Sequence, residues 1–502
     1  MYKIRTTTTG SDSTAVQVIY YSRNKLNIAK HIGSSNSAEE VAELKLLAQK
    51  WIKDNDPQLD LFEGPENQEE LITLVVGADS YLGVRHSLLQ SSIYGIIERF
   101  NFSGLKNRLL VDLVFARIVS PGSKAHSLKF LAEQFDIRHS YRQMSRVFPR
   151  FHLLKSAVEA NIGEVARREF LFDFKLLFYD LTTLYFESFD SDDLRKIGFS
   201  KDNKNNQPQI MIGLLVTKEG FPISYQVFEG NIFEGHTLIP AILELKKVHK
   251  IEAMTVVADA AMISRENIRL LKEHGLNYIV GARISNLPLT QIKAISRKIQ
   301  GNIEANCRID DQEKGFLVCG FSPVRYKKDK IEMEKQIKKA AALLTQSDAA
   351  QLSKRAKFLK KIGAKSSYEM HEKLIEKTKL LLGIKGYFTN LDLPEEEIIL
   401  QYKNLWHVEK AFRISKTDLK MRPIYHYKPD NIKSHIMVCF MALAVAKYIE
   451  IKTQISIKAT IDSLKQVTTV TIHDKLLNKN ISLTSPTPQN LKKILAAIQA
   501  PY

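Results

Sequence analysis

Cysteine is scarce in this sequence: Cys307, Cys319 and Cys439 are the three in 502 residues, and none belongs to a C-x2-C pair. That spacing excludes the common zinc frameworks, and an odd, low count fits free thiols in a reducing compartment better than a disulfide scaffold. No run of 18 or more apolar residues occurs, so a membrane-spanning helix and a membrane partner are not expected. The opening Met1 to Arg5, followed by threonines, has no apolar signal core, which predicts a cytoplasmic protein. Internal repeats and low-complexity tracts are absent too. Acidic residues are in deficit, with 55 Asp and Glu against 73 Lys and Arg, a net charge of +18. Such a surplus favours a polyanionic partner, because neutralising each phosphate releases condensed counterions. The length predicts about three domains at roughly 100–200 residues each.

The pattern along the chain divides it. Residues 13–33 read as a β-hairpin turning at Ser22 to Lys25, and Ser37 with Glu40 forms a capping box for a following helix. Pro57 and the stretch Glu63 to Glu66 read as a linker closing an N-terminal region of residues 1–64. Residues 85–170 are mostly helical in pattern, with helices expected at 88–100, 105–119, 125–135 and 140–148. The last two, with their short break, resemble a helix-turn-helix. Arg138, Arg142, Arg146 and Arg150 follow at intervals of four, which lays them on one helix face, either a DNA contact or the solvated side of a helical bundle.

At 174 the periodicity changes. Lys175 to Phe186, Gln209 to Thr217, Phe221 to Phe228, Thr255 to Asp259 and Tyr278 to Gly281 read as strands, with helices at 237–248 and from Ser264 to about Gly275. A polar loop at Ser200 to Asn206 follows the first strand. Three meandering strands followed by alternating helix and strand predict an α/β fold with a ribonuclease-H-like core over 174–284 and 386–450. Residues 285–385 interrupt it, with a β segment at Phe316 to Phe321 and a Lys-rich helical stretch over 328–383 that reads as an exposed helical hairpin. A helix beginning near Pro394, behind Glu395, Glu396 and Glu397, is expected to run through Glu409 to about Lys416. An apolar helix over 436–449 should pack on the core. The basic surplus gathers late, since residues 401–502 hold 16 Lys and Arg against 6 Asp and Glu; the last part, 451–502, reads as a basic C-terminal region.

Asp180 lies in one apolar strand and Asp259 ends another. A carboxylate buried there is costly unless it is paired or binds metal. Glu409 adds a third, with Tyr402 seven residues before it, Arg413 four after and Lys416 seven after, so that one continuous helix would show all four on one face. The plain alternative is an i,i+4 pair of Glu409 with Arg413. Cleavage of a phosphodiester suits such a set, because two Mg²⁺ or Mn²⁺ ions held by carboxylates activate the nucleophile and stabilise the leaving oxygen.

These residues resemble bacterial insertion-sequence transposases with a DDE catalytic core, in particular the group with a Y-x2-R-x3-E-x6-K motif. Here that motif is Tyr402, Leu405, Glu409 and Lys416. Phe178 to Thr183 and Val256 to Met262 match the strands of the two aspartates; Gly198 to Gln209, Phe228 to Asn231 and Arg422 to His426 are similar as well. The resemblance implies that Asp180, Asp259 and Glu409 are catalytic metal ligands and that Tyr402 and Lys416 hold DNA phosphates. Leu405 replaces the usual Arg, whose role passes to Arg413 or Lys410. It further implies double-stranded DNA partners (element ends and target), a homodimer in the synaptic complex, and a nucleoid-associated location. Two alternatives share these residues: a nuclease of the same fold that moves no element, and a catalytically silent DNA-binding regulator, against which all three acids argue.

Overall fold

The computed structural model describes residues 2–10, 13–55, 81–188, 190–198, 206–262, 264–299, 306–344, 357–362, 367–474 and 479–499. The predicted linker at 57–66 and most of the polar loop at 200–206 lie outside these residues. The chain divides into two compact units, one of residues 1–87 with 467–487, the other of 88–466 with 488–502.

In the first unit, strands β1 (Lys3–Thr8), β2 (Thr14–Ser22) and β3 (Lys25–Ser35) form an antiparallel sheet, with helix α1 (Ala38–Asn55) packed on it. The hairpin turns at Arg23 and Asn24, both at positive φ, the two-residue geometry whose twist matches paired strands. Val16, Val18 and Ala48 form its buried centre. The expected capping box is displaced: Glu40 accepts from the Ser35 hydroxyl, which itself accepts from the Ser37 amide, so Ser35 rather than Ser37 is the capping partner. Strand β4 (Tyr81–Arg85) belongs to a second three-stranded sheet whose other members come from near the end of the chain.

The second unit opens with helices α2 (Ser87–Arg99), α3 (Arg108–Val119), α4 (Lys124–Phe135), α5 (Tyr141–Val147) and α6 (Lys155–Phe170). All of α3 after Arg108 is buried. Its Asp112 is made tolerable by three partners, Tyr94 Oη at 2.5 Å, Arg108 Nε at 3.0 Å and His139 Nε2 at 2.7 Å. His139 thereby ties the segment before α5 to the bundle. That segment corrects the single arginine face: Arg138 precedes the seven-residue α5, and Arg150 lies in a 3-10 segment, Phe148–Leu154, so only Arg142 and Arg146 share the helix. All four side chains are exposed.

The α/β part runs β5 (Leu176–Tyr185), β6 (Gln209–Thr217), β7 (Pro222–Glu229), α7 (Leu238–His249), β8 (Thr255–Ala258), α8 (Arg265–Glu273), β9 (Asn277–Ala282), α9 (Leu289–Ile299), β10 (Asn306–Asp311), β11 (Gly315–Phe321), α10 (Pro323–Leu344), β12 (Leu359–Ile362), β13 (Ser367–Met370), α11 (Glu372–Leu380) and β14 (Ile384–Thr389). The sheet order is β10-β11-β14-β9-β8-β5-β6-β7. Strands β5, β6 and β7 meander antiparallel, whereas β8 and β9 join β5 in parallel. This is the ribonuclease-H-like order read from the sequence.

Two expectations change. The sheet does not stop at β9, because β14, β11 and β10 extend it antiparallel to eight strands. The stretch 328–383 is not one helical hairpin either: β12 and β13 form a hairpin between α10 and α11, around a small core of Met333, Ala340, Phe358, Ile375 and Leu382.

The chain continues through α12 (Glu395–Lys403), α13 (Trp406–Lys416), α14 (Pro429–Thr453), α15 (Ile457–Leu464), β15 (Thr469–Asp474), β16 (Lys479–Thr484) and α16 (Gln489–Gln499), with β15 pairing β4 and β16 in the first unit. Helix α14 is long and apolar enough to cross a membrane, but it is buried along nearly all its apolar length against α3, β7, α13 and α16. It is the central core helix, which is why apolar residues surround it instead of forming a stripe.

Candidate active site

Strand β5 pairs with β8 from Leu176 opposite Thr255 to Tyr179 opposite Ala258. Asp180 and Asp259 are the residues next along from that last pair, and both line one cleft. Asp180 is half-buried and Asp259, just past its strand, is exposed. The burial argument from the sequence therefore gives way to a different one: Asp180, midway along β5, and Asp259, just past the end of β8, both line an open cleft.

Glu409 reaches the same cleft from α13, which packs on β5 and β6. It sits in the first turn, at the positive end of the helix dipole, which favours a negative charge. The continuous helix expected through it is broken. Leu405 N–H bonds to Tyr402 O, His407 N–H to Asn404 O, and Val408 N–H to Leu405 O, a run of tight i to i+3 bonds that separates α12 from α13. Glu409, Arg413 and Lys416 remain together on α13, while Tyr402 approaches from α12. Among the described residues, no ion pair joins Glu409 to Arg413, so the i,i+4 alternative does not hold here.

Tyr402 is 4% exposed and donates from Oη to Asp259 Oδ1 at 3.4 Å. Burial and then the Asp259 charge drive its phenol well above the ordinary range, so it stays protonated and a donor. Room for that hydroxyl depends on Gly281, where a Cβ would lie 2.7 Å from Tyr402 Oη. The ring lies 4.6 Å from that of Tyr387, and Lys385 Nζ is 4.4 Å from its centroid.

The cleft measures about 1430 Å³ and is lined by all three acids together with Tyr402, Arg413 and Lys416. It brings in basic residues that the sequence reading missed: Arg325 and Lys328 on α10, Lys385 on β14, and Arg422. Burial, then Arg325, lower the Lys385 pKa, and Asp259 and Glu409 raise it in opposition. A lone lysine within the apolar run Ile384 to Phe388 was the available signal. Leu405 is buried in the cleft wall. Of the two residues expected to replace its missing guanidinium, Arg413 faces the cleft, whereas Lys410 turns away to Glu450 at 3.0 Å. Arg138, Arg142 and Arg146 are not part of the cleft.

Among the described residues, no three His, Cys, Asp or Glu side chains converge closely enough to hold one ion. The donor set still fits Mg²⁺, which is bound by one or two carboxylates and completes its shell with water and substrate phosphate oxygens.

Residues 174–445, more than half of the chain, match the family model described as the transposase DDE domain. The chain belongs to the DDE transposase family, enzymes that cut and rejoin DNA with the help of divalent metal ions. Among solved structures, it is similar to a piggyBac transposase synaptic complex with hairpin DNA at 10% identity, covering 84% of this chain and 81% of that one with a TM-score of 0.38. It is also similar to a Mos1 transposase paired-end complex with the left transposon end at 13% identity, covering 47% and 66% with a TM-score of 0.16. A search of curated proteins finds no significant match.

Proposed function

We propose that this transposase binds the ends of its own insertion sequence and performs cleavage and strand transfer in the cleft between β5, β8 and α13, with Asp180, Asp259 and Glu409 as metal ligands. The observation that carries this reading is the meeting of the three acids, distant in sequence, in one cleft with a basic wall. Asp180, Asp259 and Glu409 would hold two Mg²⁺ or Mn²⁺ ions, which would supply Lewis acidity toward the attacked phosphate and its leaving oxygen. Asp180 is held by the sheet ladder and Asp259 by its ladder end and the Tyr402 hydroxyl, so neither must be ordered when substrate arrives. Glu409 closes the set from the side. Lys416 and Arg413, along the same helix, and Lys385, Arg325 and Lys328, across the cleft, hold the flanking phosphates. Arg142 and Arg146, with Arg138 beside them, bind element-end DNA away from the cleft. One set of acids per chain serves one end, so two chains related by two-fold symmetry are the simplest synaptic complex, acting on the nucleoid.

Asp180→Asn, Asp259→Asn and Glu409→Gln test the assignment. Each should reduce Mg²⁺-dependent nicking of an end-bearing duplex by at least about a thousandfold while the duplex is still bound, since a ligand charge is lost and the phosphate contacts stay. Near-normal nicking by any one of the three refutes its role. Joining of a precut end to target DNA separates a transposase from a nuclease that only cuts.

A further inference from the structure

A second cavity, about 490 Å³ in volume, lies in the same unit where the end of α3, the start of α4, the 420–426 loop and α14 meet. Among the described residues, its lining includes Arg117, Lys124, Lys420, Arg422, His426 and His435, and no Asp or Glu. Two of these cations are deeply buried, Arg117 at 2% and Lys124 at 6% exposure. Arg117 Nη1 donates to the carbonyls of Leu419 and Lys420 at 3.4 and 3.3 Å, and among the described residues its Nε has no partner. His435 Nε2 donates to Met421 O at 2.9 Å, which leaves Nδ1 as the acceptor for Lys124 Nζ at 3.2 Å. Among the described residues, both buried cations thus meet only neutral partners. Burying such charges without a counter-ion is costly. Burial, and then Arg117, bring Lys124 down to about 7, which is the response expected of an ammonium lacking an anion. The N-terminus of the twelve-residue α4 adds its own positive end at the same place.

We propose that this cavity is a phosphate pocket, which takes a backbone phosphate of the DNA strand that leaves the catalytic cleft. Arg422 lines both cavities and joins them. The volume admits a phosphodiester with its sugar. Arg117, Lys124 and Lys420 surround the phosphate oxygens, and charge-assisted bonds of this type are the strong ones. The proposal rests on the reading of the protein as a DNA transposase.

The test uses the full chain and a fluorescently labelled duplex, with affinity measured across a range of salt concentrations. Lys124→Met keeps side-chain length and removes the buried charge. Lys420→Asn removes an exposed rim charge and suits the left-handed backbone there, with φ of 44. Each should weaken duplex binding roughly tenfold and lower the slope of log affinity on log salt by about 0.9. Lys124→Met should also melt no lower than wild type, since an uncompensated charge has gone; a merely structural lysine would give the opposite. Wild-type affinity and slope in both variants overturn the proposal. So does a melting temperature raised by inorganic phosphate in wild type but not in Lys124→Met, if the duplex slopes are unchanged, because the pocket would then take small phosphates instead of DNA. A wild-type chain that binds no duplex overturns the DNA reading itself, and the pocket with it.

Discussion

Gly281 offers a way to move the Tyr402 hydroxyl without touching any carboxylate. A methyl group added there would stand 2.7 Å from Tyr402 Oη, and 3.1 and 3.2 Å from the N and Cβ of Ala260. The first approach is closer than real Cβ contacts, and Tyr402 is buried against Tyr387, so the phenol has little room to withdraw. Gly281→Ala should therefore destabilise by about 1–3 kcal/mol, the range for an overpacked core. Tyr402→Phe loses a hydrogen bond of 3.4 Å and should cost about 0.5–1 kcal/mol. In the double variant the worst contact disappears while the two to Ala260 remain, so the pair should be more stable than the sum of the singles by about 1 kcal/mol. Urea unfolding followed by tryptophan fluorescence measures this. Only Trp51 and Trp406 are present, so a Trp51→Phe background leaves Trp406, on the cleft, as the reporter. Nicking should fall in Gly281→Ala with duplex affinity kept. Additive stabilities within about 0.3 kcal/mol would refute the packing argument and, with it, the account of how Tyr402 is held against Asp259.

Lys385→Met should tighten Mn²⁺ binding to the DNA-free protein about fourfold and weaken duplex binding, because a cation ~5 Å from a carboxylate, screened by water, is worth roughly 0.8 kcal/mol; unchanged Mn²⁺ affinity by calorimetry would remove Lys385 from the cleft's charge balance. Acid should destabilise the second unit. His249, His407 and His426 are each brought to about 4, mainly by burial, so their neutral forms support the fold above the unfolded value near 6.5 and that support is lost as pH falls towards 4. Urea midpoints should drop between about pH 7 and pH 5, less so in His249→Gln, and a flat profile would contradict these shifts. Arg142→Ala and Arg146→Ala, both on the exposed face of α5, should leave stability within about 0.5 kcal/mol and reduce end-DNA affinity with a slope change of about 0.9 each; unaltered binding by both places the end-recognition surface elsewhere.

The strand order around the two aspartates was legible because β5, β6 and β8 are short apolar runs bounded by polar turns, and a parallel ladder follows from β5 and β8 once a helix lies between them. Glu409 was legible from its helical spacing to Arg413 and Lys416. The break at Asn404 and Leu405 was not, since neither proline nor glycine marks it and a buried leucine is ordinary in a helix. Strand β1 was hidden in a threonine-rich start, where alternation of apolar and polar residues is weak. The pairing of β4 with β15 joins strands about three quarters of the chain apart, and no local period announces a partner at that distance. Lys385 was passed over because a single lysine in a strand gives no sign of which face it occupies until the partners of β14 are known.

Those partners bear on what the segment between Asp259 and Glu409 does. A plain insertion would be a lobe attached to a finished core. Here β14 returns from it into the sheet beside β9, and α12 packs across β8, β9, β10 and β11, so the segment forms the wall against which Tyr402 is set and lines the same cleft as Glu409. Apart from Arg413 and Lys416, which share α13 with Glu409, the cations that face the acids come from other elements. The acids come from β5, the end of β8 and α13, whereas Arg325, Lys328 and Lys385 come from α10 and β14. Carboxylates and cations on one exposed helix readily pair locally, as Arg269 does with Glu266 and Glu273 on α8. Carried on elements whose spacing the sheet fixes, they face a common space instead, which under the proposed function would let metal ions satisfy one side and DNA phosphates the other.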